Sequence, residues 1–388
     1  MSTRSPTIDS TTAPSEPASA ALARPPEELE LRPLEGMARW LGRILHPIAF
    51  RMVSMVEQPL GTMSGPLSPV KGYFRRDRHR HPKVDAQTYR LKVTGVAKPR
   101  EFTLEDLQAL PWENRVLVME CAGNGNHMMG SAGLIGQAKW SGPSLKTILD
   151  ACGGPGDATH FACHGLDPIP LIRKGYHYGL SLDEYTRSRA LLALRMNGEP
   201  LPRPRGFPVR LVVPGIYSMS HVKWLGHIEG KTKPHMGVHN RFVFVNKRKT
   251  PEGKWVKEQA RWIGLKSMVT RCLRDGDDWL LTGWAWGAGK TIASVSVSVD
   301  GGKTWDDAEL EPPSAHFGEA EGLSDADLEH AWSVWTYRWR APAAGEYVIA
   351  SRAFAEDGEA QRLEEDPAVK GHFNQTRVKW RQVEVPAR

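Results

Sequence analysis

An apolar run, Val116 to Met119, feeds into Glu120-Cys121 and is halted by Ala122-Gly123-Asn124-Gly125-Asn126. A β-branched run stopped by glycines predicts a strand that ends in a tight loop. Such a chain presents a single thiol at a strand end, beside backbone N–H groups free of side-chain bulk. A soft metal held by an anionic cofactor can be ligated there. Taken alone, the segment better describes a structural cysteine closing a core strand, since free cysteine is among the most buried residue types.

The 388 residues exceed what one hydrophobic core usually organises, so two domains plus a tail are expected. Lys and Arg outnumber Asp and Glu by 51 to 44, a net charge of +7 that favours anionic partners. The basic residues look spread along the chain and interrupted by acids, with no nucleic-acid-binding motif, so a phosphate-bearing cofactor and an anionic substrate are the expected partners rather than nucleic acid. Cys121, Cys152, Cys163 and Cys272 fall at unpatterned spacings, unlike a disulfide framework, and fit a reducing compartment. Met1 to Glu30 carries neither a signal-peptide core nor a twin-arginine sequence, and no apolar run reaches membrane length; the expected location is cytoplasmic.

Residues 1–30, rich in Ser, Thr, Pro, Ala and Glu, are expected to be a disordered tail. Residues 31–72 are expected to be helical, because Met37, Trp40, Leu41, Ile44 and Leu45 recur at helical spacing within Leu34 to Val56, although Pro47 interrupts them. From 73 to 247 short strands and helices mix. Thr103 with Asp106 forms a capping-box pattern, and Leu145, Ile148, Leu149 and Cys152 form a helical stripe that ends at Gly153-Gly154. Neither regular βαβ alternation nor a dinucleotide fingerprint is present, so the class is α+β. From 262 to 388 the character changes. Val295, Val297 and Val299 alternate with serines into Asp300-Gly301-Gly302, and ten of the fourteen tryptophans lie from Trp255 onward. Strict period two followed by hairpin signals predicts an immunoglobulin-like β-sandwich.

Further segments give the cysteine company: Ala138-Lys139-Trp140-Ser141-Gly142, then Gly206-Phe207-Pro208-Val209-Arg210-Leu211-Val212-Val213-Pro214-Gly215, then Val222-Lys223-Trp224-Leu225-Gly226. In order and spacing, with Cys121, they resemble the sulfite oxidase family of molybdopterin enzymes, from about Tyr73 to the C-terminus. The resemblance implies a molybdopterin-binding domain followed by a dimerisation domain, the latter carried by Gly283-Trp284-Ala285-Trp286 through Val299 to Trp305. It implies that Cys121 supplies a thiolate to molybdenum, whose other sulfur ligands come from the pterin. Arg76 aligns with an arginine of the family's oxyanion pocket, where a guanidinium fork matches an oxyanion with paired charge-assisted bonds. Tyr178 and Trp140 match the pocket's tyrosine and tryptophan. Arg78, Arg205, Arg210 and Lys223 fall where the family holds the pterin and its phosphate.

The departures are Asn126 and Lys290, where the family's pocket commonly carries arginines, and Arg78 and Arg205, which replace histidines. A reshaped anion pocket follows. Sulfite, or a related sulfur oxyanion, is the expected substrate; reduction of nitrate or a sulfoxide on the same core, and a cofactor-free anion-binding protein, are the alternatives. The sequence carries no haem-attachment, flavin, nicotinamide or iron–sulfur motif, so electrons are expected to leave to a separate acceptor, a cytochrome, another redox protein or dioxygen. A homodimer is expected. His160, Cys163 and His164 are zinc-ligand types, but their spacing matches no usual zinc pattern.

Overall fold

The structure is a computed structural model that describes residues 27–33, 54–63, 65–77, 80–125, 132–167, 175–317, 322–340 and 342–387. The apolar run forms the strand Glu113–Glu120, hairpinned onto Ile135–Gly142 with Glu120 opposite Ile135. Both faces of Arg115 to Glu120 are buried, which is why the run reads as continuously apolar rather than alternating. Arg195–Met196 and Glu199–Pro200 extend this sheet, joined through Asn197 and Gly198, both at positive φ.

A second, mixed sheet has the strand order Arg100–Thr103, Arg90–Thr94, Leu225–Lys231, His160–Gly165 and His177–Ser181. Leu225–Lys231 runs parallel to Arg90–Thr94 and antiparallel to His160–Gly165. The helix Leu104–Ala109 carries the Thr103–Asp106 capping box in full. Ser144 caps Leu145–Ala151, and the stripe of Leu145, Ile148, Leu149 and Cys152 is buried. These short helices are held by their apolar faces more than by propensity.

The C-terminal part is a two-sheet sandwich. One sheet is ordered Lys266–Asp275, Asp278–Trp286, Ser333–Trp339, Glu309–Glu311; the other is ordered Arg32–Pro33, Arg381–Val385, Gly345–Ala355, Ile292–Ser298, Asp306–Asp307. Val295 and Val297 point inward while Ser294 and Ser296 are part-exposed, as period two requires. Trp279, Trp335 and Trp339 fill the space between the sheets. Gly283 is needed beneath Trp335, because a Cβ there would lie 2.2 Å from the indole and 2.3 Å from the Met268 carbonyl oxygen. Gly283→Ala is expected to lower stability by about 1–3 kcal/mol, an overpacking penalty read as a lower midpoint in thermal or urea unfolding.

Two expectations are corrected. Residues 27–30 do not belong to a free tail: Leu29 enters the sandwich core, its N–H donates to the Cys272 carbonyl, and Glu28 pairs with Arg271. Where it is described, the 31–72 segment has only one short 3₁₀ turn, Leu60–Thr62, and otherwise forms strand and loop. Arg32–Pro33 and Ser54–Val56 are strands, paired with Arg381–Val385 and Arg75–Asp77, because neighbouring strand edges offer backbone partners that outweigh local periodicity. Residues 34–53, with the proposed amphipathic stripe, lie outside the described residues.

The sandwich and the α+β part share one core, in which Trp284, Trp286 and Trp332 pack with Val118 and Ile135. Trp284 and Trp332 stack at 4.6 Å, and the Val118 N–H donates to the His330 carbonyl across the junction.

Candidate active site

Cys121 lies at the C-terminal end of Glu113–Glu120, 3% exposed, its N–H bonded to the Leu134 carbonyl and its carbonyl accepting from the Asn124 N–H. The loop thus turns sharply at the thiol, which faces a cleft holding about 840 Å³ of atom-free space including its open mouth. Five cationic side chains line the cleft, Arg75, Arg76, Arg205, Arg210 and Lys223, against two carboxylates, Asp77 and Asp167.

Arg76 Nη1 sits 3.4 Å from Cys121 Sγ, on the strand Arg75–Asp77 that the chain lays across the cleft. Arg205 donates to the carbonyls of Phe74, Val70 and Tyr73, at 2.7, 3.0 and 2.6 Å, and so fixes the segment that leads into Arg75 and Arg76. Arg210 is 5% exposed, lies 4.8 Å over the Trp140 ring, and donates to the carbonyls of Arg205 and His221 and to Met119 Sδ. Burial pulls its pKa down to about 10, yet it remains charged at neutral pH. Lys223 pairs with Asp77, which also holds Arg75 and His81, each at 2.8 Å. Burial drops Lys223 to about 8, with Asp77 opposing the fall.

Arg76, Arg205, Arg210, Lys223 and Cys121 therefore meet in one cleft. Others do not meet there. Tyr178 is fully buried beside Phe244 on His177–Ser181; the tyrosine that lines the cleft is Tyr176, just before that strand begins. Trp140 backs the cleft from behind Arg210 and has no exposed surface. Lys290 lies in the sandwich, paired with Asp357 at 2.5 Å and Glu359 at 2.9 Å, because its loop extends a sandwich strand. Arg78 and Asn126 fall outside the described residues. Cys163 faces the side of its strand opposite to His160 and His164, and among the described residues no three His, Cys, Asp or Glu side chains converge to hold a metal.

Sequence reasoning missed three groups. Asp77 organises the cationic wall; a lone carboxylate inside Arg75-Arg76-Asp77-Arg78 was its signal. Glu120, bonded to Cys121, is fully buried against Lys266 and Trp286 of the sandwich. His221 accepts from the Val213 N–H at Nδ1 and bonds the Ile216 carbonyl through Nε2, an arrangement that fits the neutral ring with its proton on Nε2. Burial, then the Arg210 charge, pushes its pKa to about 3. His330 at the domain junction is likewise pushed to about 4, by burial and then by Arg189 and Arg115.

The unfolded chain binds protons on both histidines at about 6.5 and the folded chain does not. Their contribution to stability is therefore full above that value and is lost as the pH falls toward 4. Denaturant titrations at stepped pH are expected to show the midpoint falling below pH 6.5, less steeply in a His330→Gln variant.

The residues fit a molybdenum–pterin group. The donor set pairs a soft thiol with a cationic wall, and the buried Arg210 Nε and Trp140 Nε1 have no hydrogen-bond partner among the described residues. Residues 78–239 match the family model of the oxidoreductase molybdopterin-binding domain, and residues 267–385 that of the Mo-co oxidoreductase dimerisation domain. Mitochondrial sulfite oxidase of Mus musculus is 31% identical over 308 residues, covering 72% of this chain and 54% of that protein. The NAD(P)H nitrate reductase of Hordeum vulgare is 30% identical over 325 residues, 71% of this chain and 35% of that protein. The chain spans about half the length of the first of these relatives and less of the second. The crystal structure of the sulfane dehydrogenase SoxCD from Paracoccus pantotrophus shares the fold, with a TM-score of 0.72 over 86% of this chain and 87% of that one at 23% identity.

Proposed function

Since the chain belongs to the sulfite oxidase family of molybdopterin oxidoreductases, we propose that it oxidises sulfite or a related sulfur oxyanion and passes the electrons to a separate acceptor. The observation that carries this reading is the Cys121 thiol facing a cleft lined by five cations and two carboxylates. Cys121 would hold the metal, and Arg210, Lys223 and Arg205 would face the pterin and its phosphate. When bound, the group supplies two-electron oxygen-atom transfer.

The chain's own part is placement and electrostatics. Arg76, beside the thiol, presents a guanidinium fork to the substrate's oxygens and draws a dianion toward the reacting centre. Asp77 spaces Arg75 and Lys223, so that their charges form a wall instead of repelling one another apart. Tyr73, Phe74 and Trp140 exclude water behind this wall, which strengthens every charge interaction in the cleft.

The deciding experiment purifies the protein from a host able to make the cofactor, measures molybdenum and pterin, and screens sulfite and thiosulfate with an oxidised dye as acceptor and nitrate and sulfoxides with a reduced dye as donor. Sulfite-dependent turnover without nitrate turnover is the expected result. Nitrate or sulfoxide reduction is the second reading, its nitrate form supported by the likeness to the Hordeum vulgare nitrate reductase, and the same screen would reveal it. Protein lacking stoichiometric molybdenum would point to a cofactor-free anion binder. Arg76→Met is expected to raise the Michaelis constant for sulfite and lower kcat/KM by roughly 10²-fold, the loss of a bidentate charged contact. An unchanged constant would remove Arg76 from substrate binding.

A further inference from the structure

The chain's positive charge is far less evenly spread than a linear reading suggests. Residues 231–257 hold eight Lys and Arg against one carboxylate, Glu252; of the 51 basic and 44 acidic residues in the chain, 43 of each are left elsewhere. This one segment therefore carries a net +7, as large as that of the whole chain, while the remaining residues sum to zero.

This segment is also where the apolar surface is exposed. Of the eight large apolar side chains exposed among the described residues, five lie here: Met236, Val238, Phe242, Trp255 and Val256. Phe242 is 59% exposed, with Arg241 and Lys257 over its ring at 5.0 and 5.1 Å. Arg248 pairs with Glu258 and Asp366, and Lys231 with Glu229. Among the described residues no ion pair engages Lys247, Lys249 or Lys257.

The patch adjoins the cleft. The helical turn His239–Val243 packs His239 against Tyr176 at 4.5 Å, and Phe244 follows directly; Tyr176 and Phe244 both line the cleft. Phe244 places the segment beside the cleft, while Phe242, two residues earlier, stands exposed. The hairpin Val245–Lys249 to Trp255–Gln259 continues it, with Trp255–Gln259 as an edge strand. Lysines do guard edge strands against pairing. Edge protection, however, explains neither a net +7 over 27 residues nor the exposed Met236, Val238 and Phe242.

We propose that residues 231–257 are the docking surface of an acidic one-electron acceptor protein. The inference rests on the oxidase reading above. Each oxidation of sulfite to sulfate takes its oxygen from water, releases two protons and leaves two electrons, which two acceptor molecules remove one at a time. An apolar centre ringed by unpaired lysines suits a partner that must arrive quickly and leave again, since charge steers encounter more than it tightens the complex. A second copy of this chain is disfavoured, because two such faces repel.

The test uses the molybdenum-loaded protein and its Lys247→Glu/Lys249→Glu/Lys257→Glu variant, with three acceptors: an acidic cytochrome c, a basic cytochrome c and the uncharged quinone duroquinone. With sulfite as donor, the wild type is expected to reduce the acidic cytochrome faster than the basic one at low salt, and rising ionic strength should erase the difference. The variant should lose roughly tenfold or more with the acidic cytochrome, lose that salt dependence, and reduce duroquinone at the wild-type rate. Binding of the acidic cytochrome to resting holoenzyme, followed by sedimentation at low salt, should vanish in the variant. Wild-type duroquinone turnover combined with no preference for the acidic cytochrome, or with a variant that binds and reduces it normally, overturns the docking surface alone. Binding of the wild type to duplex DNA or anionic vesicles but not to the cytochrome overturns it in favour of those partners. Absence of any sulfur-oxyanion turnover with duroquinone defeats the oxidase reading, and the docking proposal falls with it.

Discussion

Cys121→Ser is expected to yield a folded protein that turns over no substrate. The substitution removes one soft atom from a site 3% exposed and leaves the backbone bonds to Leu134 and Asn124 in place, so the fold loses little. The chemistry loses a great deal. A serine hydroxyl is not a thiolate at any working pH and is a poor donor to a soft metal. Turnover is expected to fall on the order of 10³-fold or more, the scale seen when an essential member of a catalytic unit is removed. Arg76 Nη1, now 3.4 Å from the sulfur, would instead face a hydroxyl on a shorter bond and shift toward it. Steady-state assay, molybdenum content and a thermal melt check the three parts separately. A melt near wild type with activity gone supports metal ligation; activity retained would return Cys121 to the role of a buried strand residue.

How much of this was legible in the sequence depended on whether the signal was local. The strand before Cys121, the Thr103–Asp106 cap, the helical stripe at Leu145 to Cys152 and the alternating valines of the sandwich all follow from period and turn chemistry, and they stand where those signals lie. Ser54–Val56 was not legible, because its strand conformation comes from pairing with Arg75–Asp77, far along the chain. Tyr178 and Tyr176 show the resolution limit of motif reading: both sit within two residues of one strand start, period two alone would put them on one face, and it is the start of the strand at His177 that separates Tyr176, in the cleft wall, from Tyr178, in the core. Lys290 has the right charge, but Asp357 and Glu359 engage it, and those partners are invisible until the sandwich forms. The role of Glu120 was hidden for the same reason, since its partner Lys266 lies 146 residues away.

That hidden pair carries the second large expectation. Glu120 has no exposed surface and accepts from Lys266 Nζ at 2.7 Å, Trp286 Nε1 at 3.0 Å and Asn124 Nδ2 at 3.1 Å. Burial pulls Lys266 down, but Glu120 and Tyr217 outweigh it and its pKa ends raised, so the lysine is charged in the core. Lys266→Met strands a buried carboxylate and is expected to destabilise by about 3–5 kcal/mol, whereas Lys266→Met/Glu120→Gln, which leaves no charge uncompensated, should recover a large part of that loss. Denaturant unfolding of both single variants and the double supplies the cycle; additive losses would show that the two groups do not communicate. Asn124 Oδ1 also accepts from the Leu134 N–H, whose residue in turn holds the Cys121 N–H, so the ion pair is tied to the thiol's backbone through two short links. Loosening it is therefore expected to release bound molybdenum at denaturant concentrations below the global transition. Metal retained up to the unfolding midpoint in Lys266→Met would show that the sandwich stabilises the chain without holding the cysteine loop in place.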